Sequence, residues 1–270
     1  MTASEPRGLA AIDPRYRAVY ERAVTVLGDD ARVAHVGASG SVRDGTADRW
    51  SDLDLEVVAH AEDHASLLED WPAWLAEITP TAFARTPIAP FIVNAITDEG
   101  LTLDLAVYAG AVPEWPRPKE PTYTVGMLAK PFTDLGDALE YAVAEQLRGM
   151  AGPFISLVQR EEHLRHLAGV PHLLGLLTTV FLAETGARPP GKHWNRTYTE
   201  EQRAAVAALP PAAATRDAIV AFGLGLAELL VTRARPLFPR YGLEWPGGLA
   251  DVVAARVDEC LSIDTRAWLH

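Results

Sequence analysis

Asp52 and Asp54 flank a leucine in the run Ser51-Asp52-Leu53-Asp54-Leu55-Glu56-Val57-Val58. Acidic and apolar residues alternate there, and a period of two marks a strand with one dry and one wet face. Residues two apart on a strand share a face, with Cα atoms about 6–7 Å apart. Two carboxylates so placed can bind one or two Mg²⁺ ions, which prefer hard oxygen ligands and keep waters for substrate phosphates. A third acid, Asp104, stands in Leu101-Thr102-Leu103-Asp104-Leu105-Ala106-Val107-Tyr108, among apolar neighbours. A charge in that setting is costly to bury unless it is paired or coordinated. Upstream, Gly40-Ser41 lies in a loop of small residues after a β-type run, Arg32 to Val36. Glycine lets a backbone approach a phosphate closely, and a serine opening a helix offers hydroxyl and N–H groups to an anion.

Each feature alone has an ordinary explanation. Gly and Ser are default turn residues, and any half-exposed strand alternates. Asp104 reads either as a functional acid or as a solvent-facing residue of an edge strand, with Thr102 and Ala106 on its face. Glu56 shares a face with Asp52 and Asp54 and reads first as a solvated or Arg-paired side chain. His163, His166 and His172 suggest a solvated helix face, because no third metal ligand is placed by spacing. Cys260 reads as a small core residue. The tryptophans at 71, 74, 115, 245 and 268 read mostly as packing anchors, with Trp115 near enough in sequence to line a pocket.

The elements that must position these residues follow from periodicity. A first helix is expected over Pro14 to Leu27, then a strand to Val36, the small-residue loop Gly37 to Ser41, and the strand Ser51 to Val58. One helix is expected over Ala61 to Glu77. Phe91 to Ile96 and Leu101 to Tyr108 read as paired strands joined by the turn Thr97-Asp98-Glu99-Gly100. Four prolines between Val112 and Pro121 mark a linker. After a short apolar piece, Val125 to Ala129, helices are expected over Leu135–Met150, Pro153–Leu167, Pro171–Thr185, Glu200–Leu209, Ala213–Arg235 and Gly248–Leu261. The fold class is therefore an α/β (α+β) domain with a mixed sheet over residues 1–121, followed by an all-α helical bundle over 122–270.

Together, Gly40-Ser41, the ten residues Val42 to Ser51, and Asp52-Leu53-Asp54 resemble the nucleotidyltransferase superfamily of the DNA polymerase β type. Its pattern is an apolar strand, Gly-Ser, a spacer, Asp-apolar-Asp/Glu, and a third carboxylate on a later strand. Within it, the chain looks most like the antibiotic-modifying members, the lincosamide and aminoglycoside nucleotidyltransferases, and Arg32 through Asp54 is most similar to the lincosamide type with a C-terminal helical domain. Met127 to Leu139 also resembles a post-catalytic segment of those enzymes. The resemblance implies that Gly40 and Ser41 hold the NTP phosphates; Arg43, in the segment between the two motif halves, is a further candidate to neutralise triphosphate charge, against the default of an exposed surface arginine. It implies that Asp52 and Asp54 coordinate Mg²⁺, and that Asp104 completes the metal site or acts as general base on an acceptor hydroxyl. The co-substrate implied is an NTP, ATP first among them. Arg49, Lys130 and Lys192 are further candidates to neutralise triphosphate charge, against the default of exposed surface cations. The run Gly191-Lys192-His193-Trp194-Asn195-Arg196 reads first as a helix cap and docked loop. The helical domain becomes the substrate-binding domain, with the acceptor expected between the domains, and a homodimer is an expectation the resemblance brings.

The bulk numbers limit the partners. The chain has 270 residues and a formal net charge of −12, which argues against gripping a polynucleotide. An acidic field instead favours a small, cationic acceptor, such as an aminoglycoside or an amine-bearing lincosamide. A single cysteine excludes an internal disulfide. The N-terminus lacks the pattern of a signal peptide, and no stretch reads as the roughly 18 apolar residues of a membrane span. The expectation is a cytoplasmic protein without membrane partners. The alternatives to a small-molecule enzyme are a protein-modifying nucleotidyltransferase and a non-catalytic nucleotide-binding or antitoxin-like module.

Overall fold

The computed structural model describes residues 6–86, 91–112, 132–188 and 193–269. Trp115, Lys130, Lys192, the apolar piece Val125 to Ala129, most of the proline-rich linker and residues 127–131 of the Met127 to Leu139 segment lie outside the described residues. The chain divides into two compact units, Met1–Leu128 and Ala129–His270.

The first unit is a sheet with helices. Its elements are α1 (Arg15–Gly28), β1 (Val33–Ala38), α2 (Gly40–Asp44), β2 (Leu53–Ala59), α3 (His64–Glu69), α4 (Trp71–Ile78), β3 (Thr81–Arg85), β4 (Ile92–Thr97) and β5 (Thr102–Ala109). The strand order is β1-β2-β5-β4-β3. Only the β2–β5 pair is parallel, so the sheet is mixed. The two-residue alternation does what its period requires: Leu53, Leu55, Val57, Leu103, Leu105 and Val107 are all buried in one core. Tyr16, Val19, Tyr20, Ala23 and Leu27 of α1 enter that same core. The Tyr16 hydroxyl fixes the register of α1 on the sheet, accepting from the Thr102 N–H at 3.0 Å. The β4–β5 hairpin closes through Thr97, whose hydroxyl accepts the Leu101 N–H at 3.1 Å, and Gly100 takes the left-handed backbone the turn needs.

Three expectations change here. The helix expected over Ala61 to Glu77 is two helices, α3 and α4, broken at Asp70. Pro72 sits in the first turn of α4, where its missing N–H costs nothing. The strand before the glycine loop continues to Ala38, so the loop contracts and Gly40 opens a helix. β3 was not expected at all: Thr81 to Arg85 is a half-buried edge strand with no dry face.

The second unit is all helix among its described residues: α5 (Leu135–Gly149), a wide turn at Met150–Phe154, α6 (Ile155–Gln159), α7 (His163–Thr185), α8 (Trp194–Thr197), α9 (Glu200–Ala207), α10 (Arg216–Ala234), α11 (Gly247–Leu261) and α12 (Arg266–Leu269). Side-chain caps start several of them. Asp134 accepts from the N–H groups of Gly136 and Asp137 at 2.7 and 3.0 Å. Thr199 and Gln202 form a reciprocal box at the start of α9. The helices expected over Pro153–Leu167 and Pro171–Thr185 are divided differently. The break falls at Glu161, which has φ +57°, and Pro171 is carried inside a continuous α7. Against expectation, α7 is long and apolar enough to cross a membrane by length and composition. Its Leu176, Leu177, Val180 and Phe181 are buried within the unit, where α7 packs on α5 and α10.

The expected solvated histidine face is also corrected. His166 is buried, with its ring 6.0 Å from that of Phe154. Burial, then the nearby His163, lowers its pKa. The apolar surroundings of Phe154 outweigh the charged neighbours on the same helix.

Candidate active site

β2 and β5 run parallel with Asp54 opposite Asp104, and β4 runs antiparallel to β5 with Asn94 opposite Asp104. One row of polar side chains therefore crosses three adjacent strands on the face away from the packed core. Asp104 is not on an edge: β5 is the middle strand of five. Asp52, just before β2, lies on the same side as Asp54 by the two-residue period. One carboxylate oxygen from each of Asp52, Asp54 and Asp104 lies within 4.8 Å of the other two. This is the sole cluster of three or more His, Cys, Asp or Glu with such geometry among the described residues.

The turn into β2 is locked by Ser51 and Asp48. The Ser51 hydroxyl donates to Asp48 Oδ1 at 3.2 Å and accepts the Asp48 N–H at 3.1 Å. That buried serine sets the path of the chain into Asp52 and is a structural part of the pattern rather than a reacting group.

Gly40 approaches Asp54 from the other side. The Ser39 N–H donates to the Asp54 carbonyl at 2.8 Å. Gly40 follows with φ +53°, and a Cβ there would run into the Asp54 carboxylate. Both observations require glycine. Ser41 belongs to the short helix α2, where its carbonyl accepts the N–H groups of Thr46 and Ala47 at 3.0 and 3.2 Å.

Electrostatics follow from this crowding. Burial, then the like charges of Asp52 and Asp104, push the Asp54 carboxyl up to about 7. Like charges sharing a site disfavour ionisation, and a cation between them reverses the effect. The donor set is all hard oxygen, which suits Mg²⁺ or Mn²⁺. The carboxylates of Asp52, Asp54 and Asp104 could therefore hold a divalent metal.

Glu56, two residues beyond Asp54, has partners of its own. Its carboxylate accepts from Arg43 Nη1 at 3.1 Å and lies 3.9 Å from His35 Nε2. Arg43 also reaches Asp44 at 3.2 Å. The exposed Arg43 is thus beside the site but committed to two carboxylates. The Arg49 guanidinium sits 4.5 Å over the Trp50 ring. Trp194, half exposed on α8, packs at a tilt against Tyr198 with centroids 5.6 Å apart.

Asn94 is the site residue that pattern reading passed over. It is 8% exposed, and its Nδ2 donates to Asp104 Oδ1. The available signal was a lone amide in Phe91-Ile92-Val93-Asn94-Ala95-Ile96; a buried polar group in an apolar strand needs a partner.

No protein-family model matches the chain, and no curated protein matches it. Among solved structures, an aminoglycoside 6-adenyltransferase from Bacillus subtilis is similar at 12% identity, covering 88% of this chain and 95% of its own, with a TM-score of 0.31. A STING-associated CdnE c-di-GMP synthase from Capnocytophaga granulosa is similar at 11% identity, covering 87% and 85%, also with a TM-score of 0.31. At that level of superposition neither likeness bears on the chemistry of the site.

Proposed function

We propose that the protein is a nucleotidyltransferase that moves a nucleoside monophosphate from an NTP, ATP first, to a hydroxyl of a small molecule. The observation that carries this reading is the approach of three carboxylate oxygens to within 4.8 Å on one sheet face. It is joined by a glycine turn whose backbone is pressed against the second acid. Gathered so closely, each acid raises the cost of ionising the next, a cost that a cation between them would relieve.

In this reading Asp52 and Asp54 hold Mg²⁺, and Asp104 closes the set. The metal would supply charge stabilisation for the triphosphate and for the leaving pyrophosphate. Asp104 would take the proton of the acceptor hydroxyl, a role worth about 10²–10⁴ in rate. The acceptor oxygen then bonds to the α-phosphorus as the bond from that phosphorus to the bridging oxygen of pyrophosphate breaks. Gly40 and Ser41 would let the backbone approach the phosphates. Arg43 would join them by leaving Glu56.

The net charge of −12 favours a cationic acceptor of the aminoglycoside or lincosamide kind, and we assign its recognition to the helical unit. The chain holds a single cysteine, Cys260, and so no internal disulfide, which fits a reducing, cytoplasmic setting.

The test is to supply α-labelled and γ-labelled NTP in parallel with an acceptor panel. Nucleotidyl transfer puts the α label on the acceptor and the γ label in pyrophosphate. A γ label on the acceptor would mean phosphoryl transfer and would exclude this reaction.

A further inference from the structure

Asn94 faces Asp104 directly across the β4–β5 ladder. It is nine-tenths buried, between Val93 and Ala95, which are 0% and 2% exposed. Nothing about strand packing asks for an amide there: β-branched and aromatic residues fill such positions better. The Nδ2 group donates to Asp104 Oδ1.

We propose that Asn94 is a positioning residue for the metal site: its amide fixes the Asp104 carboxylate in the orientation that a divalent cation shared with Asp52 and Asp54 requires. This rests on the metal-dependent reading above. A carboxylate on a strand turns about its terminal torsion, which has only a broad, soft preference. A hydrogen bond to a charged acceptor is stronger than a neutral one, so the Asn94 amide contributes a strong orienting bond. The donor is also neutral. An Arg or Lys at position 94 would orient Asp104 equally well but would cancel the negative charge that attracts the cation. Asn orients without neutralising.

Partners of ligating carboxylates of this kind usually cost about 10–100-fold in metal affinity when removed. The full-length protein, Asn94→Leu and Asn94→Ser would be titrated with Mn²⁺, following free ion by electron paramagnetic resonance. Each would also be melted in chelator. Leucine keeps the volume and suits the buried strand. A purely structural role for Asn94 would show in the melting temperature and leave Mn²⁺ affinity alone. The expected result is Mn²⁺ binding weakened about tenfold or more in Asn94→Leu, with the metal-free melting temperature unchanged or raised. Asn94→Ser, which keeps a short donor, is expected to fall between. If Asn94→Leu does not fold, the serine variant carries the comparison: weaker Mn²⁺ binding supports the role and unchanged binding overturns it. Equal affinity in folded Asn94→Leu and wild type would overturn the role of Asn94 and leave the metal reading standing. A wild-type protein that binds no Mn²⁺ would overturn both.

Discussion

Gly40 has no room for a side chain because Asp54 occupies the space: a Cβ on Gly40 would lie 3.2 Å from Asp54 Cγ and closer still to its carboxylate oxygen. The backbone of Gly40 is left-handed besides, at φ +53°. The glycine of the loop and the second acid of β2 are therefore one steric unit. Gly40→Ala is expected to cost about 1–2 kcal/mol from the left-handed backbone alone. It should also displace the Asp54 carboxylate. Chemical denaturation would read the first effect and Mn²⁺ titration the second. A variant with full metal affinity would contradict the coupling.

The raised Asp54 pKa has a stability consequence with a definite sign. The carboxyl titrates near 3.8 when unfolded and at about 7 in the folded, metal-free protein. The folded state therefore holds the proton more tightly, and stability falls as pH rises from about 4 through 7. Asp54→Asn removes that penalty. In chelator at pH 8 it is expected to melt higher than wild type, with the gap closing towards pH 4. Metal acts in the opposite sense: Mg²⁺ should raise the wild-type melting temperature more at pH 8 than at pH 5.5, and should not raise that of Asp54→Asn. A gap that fails to close at low pH would mean that Asp54 is not the group responsible.

His166 pulls the other way. Its pKa lies below the ordinary 6.5 because burial, then the neighbouring His163, disfavours the imidazolium. The unfolded chain takes up the proton first, so this contribution is intact above pH 6.5 and is lost as pH falls below it. His166→Gln is expected to remove this acid sensitivity while lowering stability at pH 8 through lost packing on Phe154. Comparison of melting curves at pH 5 and 8 would show it. An unchanged acid slope in the variant would contradict the assignment.

The three acids should act as a unit. Asp52→Ala, Asp54→Ala and Asp104→Ala are each expected to lower turnover by about 10² or more, and the double variants by little beyond the worst single one. Steady-state rates over the set would check this, and additive losses would argue against a shared centre. Arg43→Ala separates a different role. It removes the Arg43 bond to Glu56, so a rise in KM for NTP with kcat kept would assign Arg43 to phosphate binding, and no kinetic change would leave it as a partner of Glu56 and Asp44 only.

The acid pair and its strand were legible because the two-residue period of Leu53, Leu55 and Val57 is a local property that burial then obeys. The same period placed Asp104 on one face but did not say which strand lies beside it. The parallel pairing of β2 with β5 skips β3 and β4, and only tertiary structure sets it. That pairing turns a central strand into the meeting point of three acids, and it brought in Asn94, whose partner is ten residues away in sequence. β3 was missed because Thr81, Ala82, Phe83, Ala84 and Arg85 are all half-buried. An edge strand without a dry face carries no alternation to read. In the helical unit the caps at Asp134 and Thr199 agree with sequence rules. The burial of His166, whose ring lies beside that of Phe154, could not be read from the charged neighbours in its own stretch of sequence.

The most direct test of the proposed chemistry is pyrophosphate release with Mg²⁺, crossing the four common NTPs with lincosamides, aminoglycosides and no acceptor, beside the Asp52→Ala/Asp54→Ala variant. The expected result is release that requires both an acceptor and Mg²⁺ and vanishes in the variant. Absence of NTP binding by calorimetry, together with no release under any combination, would contradict a nucleotidyltransferase site at Asp52, Asp54 and Asp104.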